Sequence, residues 1–427
     1  MGASDIVIVG IAAAWGAVIK ELDSDYQLKV SVLAGLTLLW VFILRGRCGG
    51  SGTGGTPSDA LVAVSPAATK RSAYPAYDLS TPAAKKASFS KVAPLIIDEC
   101  CAELAAGYEV RPAEIAWIRR MLEYNVLGGK MNRGLMVVES GAALFAARGR
   151  AATNDDLGRF AVLGWVIEML QAWLLVADDM MDSSLTRRGR PCWYKVDGVG
   201  HMALNDAFVI EMLSFKTVKR HFGDRPEYAP LLDLLMETTL QTELGQLLDL
   251  QCDAAPLSDF TVERWTLIVK YKTAFYSFYL PVAMGMILAG ITDRAEYDAA
   301  RRILVIMGVY FQAQDDFLDA FGTPEQIGKI GTDIQDKKCG WLFVNAYHTR
   351  VDAKQKKLLD AAYGKCAAGS ADEKRIKQLY RDIDLEALYK AYEQDSYDEI
   401  MKLKGTCKQV PWAVFETFLN KIYKRQK

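Results

Sequence analysis

Aspartates in two stretches of this sequence are spaced for chemistry on highly charged groups. Residues 174–193, LLVADDMMDSSLTRRGRPCW, close an apolar run with Asp178, Asp179 and Asp182 and follow them with Arg187 and Arg188. On a helix, positions i and i+4 lie one above the other, and i+1 is about 100° round. Asp178 and Asp182 therefore share a face, with Asp179 at its shoulder. Three carboxylates so placed repel one another, and near a helix C-terminus the macrodipole opposes them too. A hard divalent cation relieves both conflicts, and Mg²⁺ favours a few carboxylates together with phosphate oxygens. Residues 311–319, FQAQDDFLD, repeat the pattern with Asp315, Asp316 and Asp319 after the apolar ILVIMGVYF. One such triplet reads equally well as a solvated acidic turn. Two, each ending an apolar helix and each followed by basic residues, predict facing helices that cage several Mg²⁺ ions and one diphosphate.

Metal-bound diphosphate keeps negative charge that fixed cations should meet. The turn GGKMNRG supplies Lys130 and Arg133; Arg187 and Arg188 follow the first cluster; Lys329 and Lys338 follow the second. Lys272 and Thr273 lie in the mostly apolar YKTAFYSFYLP, where an unpaired lysine would be costly to bury. Singly each basic residue reads as a surface charge. Together with two aspartate clusters they predict a second anion site and an enzyme acting on two diphosphates. Other chemistries fit poorly. The only histidines, His201, His221 and His348, are dispersed, which argues against zinc or a histidine triad, and the eight cysteines show no CxxC spacing. A net charge of -1 gives no sign of a nucleic-acid partner.

The elements that must hold these residues read as helices. From about residue 88 the helical period dominates, in SFSKVAPLIIDECCAELA, EIAWIRRMLEYNVL, FAVLGWVIEMLQAWLLVA, PLLDLLMETTLQTELGQLLDL, TLIVKYKTAFYSFYLPVAMGMILAG and RRILVIMGVYFQAQDDFLDAF. The third is apolar on nearly every face apart from Glu168 and Gln171. It reads as the core helix of a bundle rather than a membrane span, because it runs directly into charged, site-like sequence. Residues 88–427 are thus expected to form one all-α bundle. Ahead of it, residues 48–87 read as a flexible, low-complexity linker. Residues 1–47 hold two apolar runs, 6–19 and 30–44, the second closed by Arg45 and Arg47. That charge placement predicts a membrane anchor with the remainder in the cytosol, the endoplasmic reticulum being the expected membrane. The alternative is a cleaved organelle-targeting segment.

The blocks GGKMNRG, EMLQAWLLVADDMMDSSLTRRGRPCW, YKTAFYSFYLP, FQAQDDFLDAFGTPEQIGKIGTDIQDKKCGW and KIYKRQK resemble the trans-prenyltransferases, most closely the eukaryotic farnesyl diphosphate synthases. The resemblance implies the isoprenoid synthase fold, a large helical bundle around a central cavity, usually homodimeric. It further implies three Mg²⁺ held by Asp178, Asp179, Asp182, Asp315, Asp316 and Asp319 on an allylic diphosphate, with Asp333 in support. Arg187, Lys272 and Lys338 would bind that diphosphate. Lys130, Arg133, Gln171 and Arg188 would hold isopentenyl diphosphate, with Arg425 closing over it. Lys272 (through its carbonyl), Thr273 and Gln312 would stabilise the allylic cation, and Lys329 would close over the site. The implied reaction elongates dimethylallyl and then geranyl diphosphate. Product length in the family is set about one turn before the first cluster, where this chain has Trp173 and Leu174 in place of two aromatics. A longer, geranylgeranyl product is the alternative; a class I terpene cyclase would need no second anion site.

Overall fold

The computed structural model describes residues 73–323 and 331–423. The N-terminal apolar runs, Lys329 and Arg425 lie outside the described residues. The described chain is mostly helical: α1 (Pro82–Ser90), α2 (Val92–Gly107), α3 (Pro112–Val126), α4 (Asn132–Ala147), α5 (Asn154–Met181), α6 (Met202–Phe222) and α7 (Tyr228–Leu250) come first. After them come α8 (Val262–Val269), a π-helix (Lys270–Tyr279), α9 (Leu280–Leu288), α10 (Arg294–Phe321), α11 (Trp341–Tyr347), α12 (Ala353–Ala362), α13 (Ala371–Asp382), α14 (Leu385–Lys402) and α15 (Trp412–Ile422).

The all-apolar α5 is the central helix. It is long and apolar enough to cross a membrane, yet 78% of its most apolar window is buried against other helices. Its start is fixed by a capping box: Thr153 Oγ1 accepts from the Asp156 backbone N–H, and the Asp156 carboxylate accepts from Thr153 N at 3.0 Å. Helix α4 crosses α5 where Gly134 meets Gly164. A Cβ on Gly164 would stand 2.5 Å from the Gly134 carbonyl oxygen, so neither position admits a side chain without separating the helices. Phe89 seals the crossing, stacked on Trp165 at 4.7 Å, while Trp165 Nε1 donates to the Phe89 carbonyl at 2.9 Å.

Residues 266–290 read as one continuous helix, but their middle is a π-helix. Pro281 gives a reason. It has no N–H, and in an α-helix its ring would press on the Ser277 carbonyl four residues back. The wider π turn relieves that conflict, the Leu280 N–H bonding to Phe275 O five residues back. Two glycines let this segment sit against its neighbours: a Cβ on Gly245 of α7 would stand 2.5 Å from Lys272 Cα, and one on Gly308 of α10 would stand 2.5 Å from Ala274 Cβ.

Two local expectations are corrected. The linker expected through residue 87 ends earlier: Tyr74, Tyr77 and Leu79 pack against the core, Tyr74 donating to or accepting from buried His221 Nδ1 at 3.0 Å. Aromatic side chains in an otherwise low-complexity stretch supply that anchorage. The other correction concerns β structure, which the sequence did not suggest. Thr186–Arg187 (β1) and Arg190–Pro191 (β2) form an antiparallel hairpin, with Thr186 opposite Pro191. Its two-residue turn, Arg188–Gly189, has φ of 53° and 73°, the left-handed pair that suits the twist of a tight hairpin. The hairpin sends Arg187 to Asp179 and Arg188 to the carbonyls of Asn125 and Leu127.

Candidate active site

Both aspartate clusters fall at helix C-termini, Asp178 and Asp179 in the last turn of α5 with Asp182 as its cap, and Asp315, Asp316 and Asp319 near the end of α10. The macrodipole disfavours negative charge there, and the chain answers with cations. Asp178 Oδ1 accepts from Lys272 Nζ at 3.2 Å and from Gln246 Nε2 at 2.9 Å, while its Oδ2 accepts from Arg187 Nη2 at 3.4 Å. Arg187 binds the buried Asp179 more tightly, at 3.0 Å through Nε and 2.5 Å through Nη2. Lys338 Nζ reaches Asp182 at 3.2 Å. Asp249, at the end of α7, joins the two lysines, accepting from Lys272 at 2.6 Å and Lys338 at 3.3 Å.

This alternation shapes the electrostatics. Burial alone would raise the Asp249 carboxyl, yet Lys272 and Lys338 hold it below the ordinary carboxylate range. Burial opposes charge on Lys338 as well, but Asp249 and Asp182 outweigh it and raise its ammonium pKa. Asp182 is raised by burial, with Lys338 offsetting only part of the effect.

In the second cluster Asp316 is enclosed by donors. Its Oδ2 accepts from Trp265 Nε1 at 2.9 Å and Trp341 N at 2.7 Å, and its Oδ1 accepts from Gln312 Nε2 at 3.0 Å. Asp319 accepts from the backbone N–H groups of Thr332 and Asp333 at 3.3 and 3.0 Å. Asp315 is the member left half-buried. Thr273 Oγ1 and Gln312 Oε1 lie 3.4 Å apart. A cavity of about 150 Å³ is lined by Asp249, Lys272, Lys338, Gln312, Asp316 and Asp333. Among the described residues no group of three or more His, Cys, Asp or Glu side chains is placed to hold one metal ion, and lysine and arginine side chains pair with the first-cluster carboxylates.

Burial of Asp316 pushes its carboxyl up to about 6, against an ordinary value near 3.9. Below about pH 4 the group is protonated folded and unfolded; above 6 the folded state carries the cost of a buried charge. Its contribution to stability is therefore fully present below about pH 4 and lost as pH rises to about 6. Urea denaturation at pH 4.5, 6 and 7.5 should show this loss in the metal-free protein and a flatter profile in Asp316→Asn.

Of the basic residues expected at a second anion site, Arg188 lies against the GGK turn and Arg133 against the π-helix. A Cβ on Gly129 would stand 3.1 Å from Arg188 Nη2, so the Arg188 guanidinium lies against Gly129; Lys130, the next residue, is exposed. Arg188 Nη1 donates to the carbonyls of Asn125 and Leu127 at 3.1 and 3.0 Å. Arg133 Nε donates to Ser277 Oγ at 2.9 Å, and its guanidinium lies 4.7 Å from the Tyr276 ring centre. Glu168, 2% exposed, accepts from Gly134 N at 2.9 Å; burial raises its carboxyl, opposed by that N–H, Arg133 and Arg188. Gln171 follows Glu168 by one turn and is half-buried. Trp173 is buried with its indole N–H unpartnered, and Leu174 is half-buried beside it.

Residues 115–383 match the family described as Polyprenyl synthetase. The chain belongs to that family. It is similar to the farnesyl pyrophosphate synthase of Saccharomyces cerevisiae, with 46% identity over 80% of this chain and 98% of the relative. It is also similar to the Bos taurus farnesyl pyrophosphate synthase, 46% identical over 73% of this chain and 88% of that one. A solved structure of T. brucei farnesyl diphosphate synthase complexed with minodronate superposes with a TM-score of 0.74 at 33% identity, covering 80% of this chain and all of that one. As a polyprenyl synthetase the chain has the isoprenoid synthase fold and is a prenyltransferase.

Sequence reasoning missed several residues of this polyprenyl synthetase site. Gln246 and Asp249 stand three apart on the otherwise apolar QLLDL of α7, a polar pair that could have flagged them. Trp265, Tyr276 and Ser277 carry no such signal; only packing shows that their polar atoms serve the aspartates and Arg133.

Proposed function

We propose that the chain is a farnesyl diphosphate synthase, joining isopentenyl diphosphate head-to-tail to dimethylallyl and then geranyl diphosphate. The observation that supports this reading is a pair of cation sets: Lys272, Lys338 and Arg187 paired with the first aspartate cluster, and Arg188 against Gly129 next to Lys130, with Arg133 bonded to Ser277. Two anionic substrates need two such sets.

The donor set suits Mg²⁺. It is all oxygen, and Asp178 and Asp182 are held only by Gln246 and by lysine and arginine side chains, which can turn to phosphate oxygens instead. Asp178, Asp182 and Asp315 would hold the ions directly, whereas Asp179, Asp316 and Asp319 keep Arg187, the Trp265 indole, the Trp341 backbone and the 332–333 backbone in place. Three bound Mg²⁺ would supply Lewis-acid stabilisation of the departing pyrophosphate.

Lys272, Lys338 and Arg187 stabilise the charge that develops on that pyrophosphate as the allylic C–O bond breaks. The Lys272 carbonyl, Thr273 and Gln312 lie beside the resulting carbocation. Lys130, Arg133, Gln171 and Arg188 hold the isopentenyl double bond close to it, making attack effectively unimolecular. Released pyrophosphate accepts the proton lost in the final step. Lys329 and Arg425 belong to this proposal as groups that close over the two diphosphates. Trp173, buried one turn before Asp178, stops chain growth at fifteen carbons, while Leu174 is the residue that would admit a longer product. The test supplies residues 73–427 with Mg²⁺, labelled isopentenyl diphosphate and a five-, ten- or fifteen-carbon allylic primer. Fifteen-carbon product from the first two primers alone supports the reading; efficient use of the third makes the enzyme a geranylgeranyl synthase; no elongation refutes both.

The proposal includes a homodimer. Helix α6 exposes Leu204, Phe208 and Met212 at i, i+4 and i+8, and α7 exposes Met236, Leu240, Leu244 and Leu247. A second copy of this face is the natural cover. Leu240→Glu should weaken dimerisation by about 2 kcal/mol or more, roughly thirtyfold, measured by analytical ultracentrifugation. An unchanged wild-type monomer across concentrations would refute it. Membrane attachment through residues 1–47 also belongs to the proposal, and fractionation of cells expressing the chain with and without that segment tests it.

A further inference from the structure

Lys338 reaches Asp182 and Asp249 from the segment just before α11, outside any helix. The residue before it has an unusual backbone. Lys337 has φ of 52°, in the left-handed region that a residue with a Cβ rarely adopts. Its side chain is tied down on several sides. Lys337 Nζ donates to the carbonyls of Asp253 and Ala255, just past the end of α7, at 2.8 and 2.7 Å. The ammonium also lies 5.7 Å from the ring centre of buried Phe260. Its stem rests on Gly364, where an added Cβ would stand 2.6 Å from Lys337 Cβ.

This left-handed residue decides where its neighbour points. In an extended chain successive side chains point to opposite faces. Here two consecutive lysines both reach the end of α7, Lys337 to the 253 and 255 carbonyls and Lys338 to Asp249 at 3.3 Å. The Lys338 backbone is bonded too: its N–H donates to Asp333 O at 3.0 Å, and its carbonyl accepts from Tyr363 Oη at 2.7 Å. With the backbone held, the side chain of Lys338 is the part that moves when it turns from the aspartates to a diphosphate.

We propose that Lys337 is a positioning residue, whose ammonium, tied to the Asp253 and Ala255 carbonyls, holds the left-handed backbone that aims Lys338 at its anion. The proposal rests on the farnesyl synthase reading for the identity of that anion, though not for the tether. Without the tether, the strain at residue 337 pulls against the two Lys338 backbone bonds, and the Lys338 side chain shifts as they give. Misplacing a group that stabilises charge by about 1 Å costs roughly a hundredfold in rate. Two substitutions separate the tether from the backbone conformation. Lys337→Met keeps a stem against Gly364 but has no donor. Lys337→Gly adopts the left-handed conformation without steric cost, yet has neither stem nor donor.

The experiment titrates the full-length chain with inorganic pyrophosphate and Mg²⁺ by calorimetry, and measures prenyl transfer in parallel. It compares the wild type with Lys337→Met, Lys337→Gly, Lys338→Met and the double variant of Lys337→Met with Lys338→Met. Each single variant should lose about tenfold in pyrophosphate affinity, the loss expected for one contact to a charged group. The rate should fall by about a hundredfold in both Lys337 variants. In the double variant the affinity losses should not multiply, because Lys337 acts on the anion through Lys338. A general loss of positive charge or of local stability would persist without Lys338, and the losses would multiply. That outcome would overturn the proposal. So would full affinity in Lys337→Met, wild-type affinity and rate in Lys337→Gly, or a wild type that binds no pyrophosphate. If the wild type binds pyrophosphate but transfers no prenyl group, the farnesyl synthase reading fails while the binding cycle still decides the role of Lys337.

Discussion

Asp178→Asn is expected to lower kcat for prenyl transfer by about a thousandfold while leaving the fold intact. Asp178 touches Lys272, Arg187 and Gln246 at once, and it is one of two first-cluster carboxylates held by side chains that can turn to phosphate. Loss of one preorganised charge-stabilising group costs about 10²–10³ in rate. The upper end applies because the substitution unbalances two cations as well. Asp179→Asn provides the contrast. Its residue is 3% exposed and its carboxylate takes the two shorter Arg187 contacts, so removing its charge leaves a guanidinium without its main partner. Breaking a buried pair costs about 3–5 kcal/mol. Single-turnover kinetics and urea denaturation on both variants separate the cases. Equal stability losses would mean that the two aspartates do not divide their work in this way.

Gly245→Ala should be among the most damaging methyl additions at the described glycines. The new Cβ would overlap the Lys272 backbone nitrogen and stand 2.5 Å from its Cα, so backbone rather than a flexible side chain must yield. Overpacking of this kind costs about 1–3 kcal/mol. The larger effect falls on catalysis, because the displaced residue carries the ammonium that joins Asp178 to Asp249. A shift near 1 Å predicts a loss of about a hundredfold. Thermal unfolding and kcat should therefore respond unequally, with a drop in Tm of several degrees beside a large fall in rate. A variant that is destabilised but fully active would show that Lys272 keeps its place by other means.

Much of this site was readable because its spacing lies within single helices. Asp178 and Asp182 share a face by the helical period alone, and so do Asp315 and Asp319. The long apolar run before Asp178 announced a core helix, and α5 is one. What the sequence hid was the division of labour within each cluster. Asp179 and Asp316 match their neighbours in type and spacing, yet they are saturated by Arg187 and by Trp265, Trp341 and Gln312, donors brought in from distant segments. Asp249 joins Lys272 to Lys338 across segments remote in sequence, and no periodicity reports a contact of that range. The π-helix was hidden for another reason: KYKTAFYSFY is as apolar as an α-helix in the same position, and Pro281 gave the only hint.

That wide turn also sets an angular phase between the two halves of the site. An α-helix advances about 100° per residue, and a π turn advances less because it fits more residues into each revolution. Lys272 faces Asp178 and Asp249, while Tyr276 and Ser277 face Arg133. In a regular helix these directions would differ by another angle. Deleting one residue between Phe275 and Tyr279 should let the segment relax toward an ordinary helix and keep the bundle assembled. The donor and acceptor substrates would then be rotated out of step. A bulk assay of folding would miss this lesion, whereas binding of each diphosphate would persist and transfer between them would fail.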